Sequence, residues 1–170
     1  MGAAPIDIAV ILFMYMSNRV IRRAGADDVV VLAARIDGFS AGHPAQGHSR
    51  SLERLEEAFF GKPILSYVLL AEKKTTPVGF GIWRKTYDLF WSMFGGEGIG
   101  LYVSPTRPGF GIAAAIVAAM CEDIRRAGGQ FLQTTCSPHL APLYKRVAVG
   151  AAERREIAAR DRSQGYLTAL

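Results

Sequence analysis

Cysteine is scarce in this 170-residue chain, with only Cys121 and Cys136 present. They lie too far apart for a paired metal or redox motif, and their contexts, AAMCED and LQTTCS, read as core helix and core strand. Two buried free thiols fit a reducing cytoplasm. Histidine is nearly as rare, and the spacing of His43, His48 and His139 makes no metal motif, so no metal is expected. No long basic run or basic-aromatic repeat occurs. The net charge of +5 comes from dispersed residues such as Arg22, Arg23, Arg125, Arg126, Arg154 and Arg155. That pattern argues against a nucleic-acid partner and suits either a solvated basic surface or attraction of a polyanionic small molecule. The apolar run IDIAVILFMYM, after MGAAP, is too short to span a bilayer and lacks the basic start of a secretory signal, so no membrane partner is expected. Residues 1–18 read as an apolar extension that needs a surface to cover it, a homodimer contact being one.

Half of the residues are hydrophobic, which is enough for one domain with a substantial core, over residues 19–170. A short strand is expected at Arg19 to Ile21. ADDVVVLAARIDGFS then reads as a helix started by Asp27 or Asp28, with Val30, Val31, Ala34 and Ile36 as its apolar face. A Gly-, Pro- and His-containing loop leads to a second helix, SLERLEEAFFG, capped by Ser51. YVLLAEKKTTPVGFGIWRK reads as a hairpin pairing Tyr67–Ala71 with Val78–Trp83. A fourth strand is expected to end at Val103 and a fifth to occupy Gln130 to Thr135. Beyond them, HLAPLYKRV reads as a short helix, with edge strands around Glu153 to Ala159 and Tyr166 to Ala169.

The segment from Gly98 to Gly128 carries the most information. An apolar stretch, GIGLYVS, enters a glycine-punctuated turn, PTRPGFGIA, and then an alanine-rich helix closed by Arg125, Arg126, Gly128 and Gly129. Gly109 and Gly111 remove side chains where backbone must approach a ligand, and the first helical turn offers amides without internal partners, which suits a diphosphate. A plain change of chain direction is the ordinary alternative. A nucleotide-triphosphatase loop is excluded because Ala113 and Ala114 stand where Lys-Ser/Thr is required. A dinucleotide fold lacks its acidic residue near Gln130 to Cys136.

Pro108, Gly109, Phe110, Gly111, Ile112 and Ala113 resemble the pyrophosphate-binding motif Q/R-x-x-G-x-G/A of the GNAT acyltransferase superfamily, with Pro108 where Gln or Arg is usual and Arg107 adjacent. The element order also resembles that fold from about Val20 onward. The resemblance implies an α+β domain: a mixed, mostly antiparallel central sheet of six to seven strands, flanked by about four helices and splayed between strands four and five. It implies acetyl-CoA as cosubstrate, with pantetheine against the backbone of Leu101, Tyr102 and Val103, and diphosphate held by Arg107, Gly109, Phe110, Gly111, Ile112 and Ala113. The acceptor it implies is a small-molecule or peptide amine.

Acyl transfer to an amine needs a neutral amine, a polarised carbonyl and a proton for the departing thiolate. Tyr144 occupies the place of the family's tyrosine in N-x-x-A-x-x-x-Y, with Ser137 and Leu140 replacing Asn and Ala, and so is the expected thiolate partner. Packing of its ring in the core is the alternative. Glu97 is the expected base, with Ile99, Leu101 and Val103 on its face of the strand by simple alternation. Its glycine neighbours equally fit an exposed turn. His43 and His48 fall in a loop that lines the acceptor pocket in many relatives. Trp83, Tyr87, Phe90, Trp91 and Phe94 form an aromatic group that can wall such a pocket or pack in a core or interface. The expectation is an N-acetyltransferase working by direct attack in a ternary complex; the rival is a non-catalytic acyl-CoA-binding or interaction module.

Overall fold

A computed structural model describes residues 19–40, 51–105, 110–136 and 165–166. Among these, six strands stand side by side in chain order: β1 (Arg19–Arg23), β2 (Tyr67–Lys73), β3 (Thr76–Asp88), β4 (Met93–Val103), β5 (Leu132–Cys136) and β6 (Gly165–Tyr166). All neighbours pair antiparallel except β4 and β5, which run parallel. Three helices accompany them: α1 (Val29–Ser40), α2 (Leu52–Phe60) and α3 (Phe110–Arg126). The expected mixed, mostly antiparallel sheet is therefore present. Of the two C-terminal strands read from sequence, the second, Tyr166 to Ala169, overlaps β6 at Tyr166, whereas its remainder, Glu153 to Ala159 and the HLAPLYKRV segment lie outside the described residues.

Local chemistry sets the element ends. The Ser51 side chain accepts the Arg54 amide, capping α2. The Asp28 carboxylate accepts the Gly25 amide and two hydrogen bonds from Arg22, which also grips Glu72 of β2. At the end of α3, Gly128 adopts a φ of +83°, its amide reaches the Arg125 carbonyl, and the Gly129 amide reaches that of Ile124. That pattern is a Schellman stop, in which glycine avoids the Cβ penalty of left-handed backbone.

The sheet carries a core on each face. On one, α3 packs Ile112, Ile116, Val117, Met120 and Ile124 against Leu69, Ala71, Val78, Trp83 and Leu132. On the other, Leu32 of α1 and Phe59 of α2 meet Val68, Leu70, Phe80 and Ile82. Glycine is needed at Gly79, where a Cβ would sit 2.6 Å from the Tyr102 carbonyl oxygen.

The β3–β4 hairpin extends well beyond the expected limit at Trp83. Its turn is organised by Asp88, whose Oδ1 accepts the amides of Phe90 and Trp91 at 2.8 and 3.0 Å. Phe90 is 97% exposed there. The aromatic group consequently divides: Tyr87, Phe90, Trp91 and Phe94 project at the hairpin tip, while Trp83 is 1% exposed in the α3 core. No helix among the described residues is long and apolar enough to cross a membrane.

Candidate active site

Strand β4 changes character halfway along. Gly96, Glu97 and Gly98 pair with Leu132, Gln133 and Thr134 of β5, and the Thr134 hydroxyl donates to the Gly98 carbonyl at 3.0 Å. The β4–β5 register ends there, although β4 continues to Val103 and β5 turns to pair with β6. Among the described residues, no strand pairs with that edge from Ile99 onward, which leaves a gap in the ladder. The backbone that faces it follows from strand geometry. The Ser104 amide donates to the Val78 carbonyl at 2.9 Å, and Tyr102 stands opposite Phe80. Alternation then aims the peptide groups of Tyr102 at β3 and those of Leu101 and Val103 into the gap.

A bulge accompanies the opening. Trp83 stands opposite Gly98 and Ile82 opposite Gly100, leaving Ile99 as the extra residue. Simple alternation across this point therefore fails. A Cβ at Gly96 or Gly98 would point to α3 residues, whereas one at Gly100 would meet Phe80 and Ile82 on the α1 face. Leu101 and Val103 pack towards α3 and Tyr102 towards α1. Glu97, between Gly96 and Gly98, thus lies on the α1 face, opposite to Leu101 and Val103. The expected shared face is corrected by the bulge.

Glu97 is a strand residue and not part of a turn. Its Oε2 accepts the Arg84 Nε–H at 2.7 Å, across the β3–β4 register that places the two residues opposite each other. The side chain remains 27% exposed, so water can reach it. Tyr102 lifts its ring between Phe80 and Phe39, with ring centroids 5.5 and 6.4 Å away, and its hydroxyl closes on Gly38, where a Cβ would lie 3.0 Å from it.

The helix α3 begins at Phe110, soon after β4 ends, and its first turn contains no acidic residue. Gly111, Ile112 and Ala113 all belong to that turn, and the Ile112 side chain is buried in the α3 core. Arg107, Gly109, His43, His48 and Tyr144 lie outside the described residues. Trp83 gives its indole N–H to the Asp123 Oδ2 at 2.9 Å, and Asp123 also takes the Arg23 Nε–H at 2.7 Å. Buried and stacked on Tyr67 at 4.4 Å, the Trp83 ring offers an acceptor no surface.

Residues 33–148 match the model of the acetyltransferase (GNAT) family. The chain belongs to this family. Solved structures of the same fold include an aminoglycoside acetyltransferase from an uncultured soil metagenomic sample, in complex with sisomicin. It is 15% identical, with a TM-score of 0.65 over 86% of this chain and 97% of that one. A ribosomal-protein-alanine N-acetyltransferase from Brucella melitensis biovar Abortus 2308 is 16% identical, with a TM-score of 0.62 over 85% and 98% of the two chains. An acetyltransferase from Clostridium acetobutylicum solved with acetyl-CoA is 16% identical, with a TM-score of 0.63 over 84% and 96%. No curated protein matches the chain. For a GNAT domain, the parting of β4 from β5 at Gly98 is the feature on which a cofactor site would centre.

One polar residue of α1 drew no attention in sequence. Arg35 sits on α1 in the row formed by Leu32, Ile36 and Phe39, and its Nε is buried without a hydrogen-bond partner. An arginine three residues after one sheet-facing apolar position and four before another was the available signal.

Proposed function

We propose that the protein is an N-acetyltransferase that moves the acetyl group of acetyl-CoA to a primary amine by direct attack in a ternary complex. The observation that carries this reading is the termination of β4–β5 pairing at Gly98 and Thr134 while β4 runs on, which leaves the peptide groups of Leu101 and Val103 facing a gap. Such groups need partners, and the amide-bearing pantetheine arm can supply them. The start of α3 fits the diphosphate by chemistry: its first-turn amides lack helical partners and no carboxylate there repels an anion.

Acetyl-CoA, when bound, supplies a thioester whose thiolate is a good leaving group. This chain's own residues would do the rest. Leu101 and Val103 would hold the pantetheine in extended form, while Gly111, Ile112 and Ala113, with Arg107 and Gly109, would hold the diphosphate. Glu97 lies on the α1 face, the side from which an acceptor can approach, and would receive the amine proton through water; its bond to Arg84 holds the carboxylate in place. Tyr144 would donate its hydroxyl proton to the departing sulfur. With ordinary thiol and phenol values of roughly 8.5 and 10, full transfer is uphill by about 2 kcal/mol, so a hydrogen bond in the transition state suffices.

The rival reading, a non-catalytic acyl-CoA-binding module, is favoured by Pro108, which removes one backbone donor from the usual loop. Calorimetric titration with acetyl-CoA, with pantetheine lacking the diphosphate as control, tests the site itself. Saturable binding that collapses for the control is expected. Absence of binding to any acyl-CoA would end the transferase reading. Tyr144→Phe then separates the two classes: an enzyme loses about 10²-fold or more in kcat and keeps its acetyl-CoA affinity, whereas a binding module has no turnover to lose.

A further inference from the structure

The search for an acceptor-binding group leads to Arg35. Its Nε is buried with no hydrogen-bond partner, and among the described residues the guanidinium makes no ion pair. The other arginines of the sheet contrast with it: Arg22 grips Asp28 and Glu72, Arg23 grips Asp123, and Arg84 grips Glu97. A buried arginine Nε without a partner is unusual, because that N–H loses water without compensation.

Its position follows from the helix. α1 leaves the end of β1, where the Ala24 amide bonds to the Val68 carbonyl, and climbs to Phe39, which packs on Phe80 and Tyr102. Val68, Ile82 and Gly100 share one level of the sheet, and Leu70, Phe80 and Tyr102 the next but one. The helix therefore ascends in the direction of β4. With the helix axis taken along β4, one turn back from Phe39, a rise of about 5–6 Å, brings Arg35 to the level of Gly100. The flank is also determined. Gly38 faces the Tyr102 hydroxyl of β4, and Arg35, three residues earlier, lies on the same side of the helix. Gly100 itself carries no side chain, and Ile99 next to it is half exposed. Glu97 of β4, on this face of the sheet, is engaged by Arg84.

We infer that Arg35 is the anion-recognising residue of the acceptor pocket, and that the acceptor is a primary amine bearing a carboxylate. This rests on the transferase reading above. A guanidinium offers paired N–H groups to the two oxygens of a carboxylate, and a bound carboxylate would satisfy the Nε as well as the charge. Placed where β4 begins to part from β5, it would hold the acceptor by its acid and leave the amine free to point at the gap. Glu97, on the same face and nearer the start of β4, would lie on the amine's side.

Acetyl transfer to matched amines tests the assignment: glycine against glycinamide, β-alanine against β-alaninamide, and phosphoethanolamine against ethanolamine. The carboxylated members are expected to be the better substrates. Arg35→Met should raise their KM about 10- to 100-fold, with kcat and the amide KM within about twofold, and Arg35→Lys should recover part of the loss. Equal effects of Arg35→Met on acid and amide, or no preference for the acids, would overturn it. A preference for phosphoethanolamine over both carboxylates would overturn the carboxylate assignment. Thermal melts of both variants confirm that folded protein is compared. Should acetyl-CoA not bind, the transferase reading fails separately. β-Alanine titrated into the protein by calorimetry then decides the subsite: binding lost in Arg35→Met supports it, and no binding to the wild type overturns it.

Discussion

The two faces of the sheet treat polar groups in opposite ways. Under α3, Asp123 is buried, yet both of its oxygens are used, one by the Trp83 indole and one by Arg23. Under α1, the Arg35 Nε is buried and unused. A closed network rigidifies a core, whereas an open one keeps a binding energy in reserve for a ligand. The α3 face thus reads as support and the α1 face as recognition, with β4 shared between them.

The largest expected effect breaks the satisfied face. Asp123→Ala leaves the Trp83 N–H unpaired in the core and releases Arg23, and should lower unfolding stability by about 2–3 kcal/mol in urea titration. A loss below about 0.5 kcal/mol would mean that water replaces the carboxylate freely and that the face is not closed.

The next effect uses pH on that same face. Burial pushes the Cys121 thiol up to about 11 from its usual value near 9. The unfolded chain therefore gives up this proton first, so stability should fall as pH rises from about 9 to 11, by roughly 2–3 kcal/mol over the window. Cys121→Ala should remove that slope. A slope unchanged in the variant would assign it elsewhere.

Arg35→Met sharpens the comparison from the other side. Removing an unpaired, partly buried charge should leave stability unchanged or raise it by up to about 1 kcal/mol, the opposite sign to Asp123→Ala. A destabilisation of about 2 kcal/mol would show that Arg35 has a structural partner. The smallest effect is expected outside both faces, at the hairpin tip: Phe90→Ser should change the unfolding midpoint by no more than about 0.5 kcal/mol equivalent, because its ring is almost fully in solvent.

Features set by neighbours in sequence were legible in advance. The Ser51 cap, the Gly128–Gly129 stop and the end of β4 at Val103 all depend on a few adjacent residues, while the mixed, mostly antiparallel sheet was expected from the family resemblance. Features that depend on pairing were not. Trp83 and Phe90 look alike as aromatics in one stretch, and only the length of the hairpin decides that one is core and the other solvent. Arg84 lies thirteen residues from Glu97 and meets it across the ladder. Arg35 is conspicuous only once its Nε proves to be buried without a partner. Alternation is legible only while the register is unbroken, and Ile99 breaks it.

That extra residue makes the length of β4 a counted quantity. With Ile99 deleted and the ladder closed up, Gly98 opposite Trp83 would be followed directly by Gly100 opposite Ile82, and plain alternation would give the faces already seen: Gly98, Leu101 and Val103 towards α3, Gly100 and Tyr102 towards α1. Pairing Ile99 as an ordinary ladder residue would do the opposite, driving Tyr102 into the α3 core and turning Leu101 and Val103 out towards α1. Substitution at position 99 changes a half-exposed side chain, and loss of that one residue keeps every face, but loss of a second residue from the regular ladder would invert half a strand. Length in this segment is therefore free by one residue and fixed beyond it.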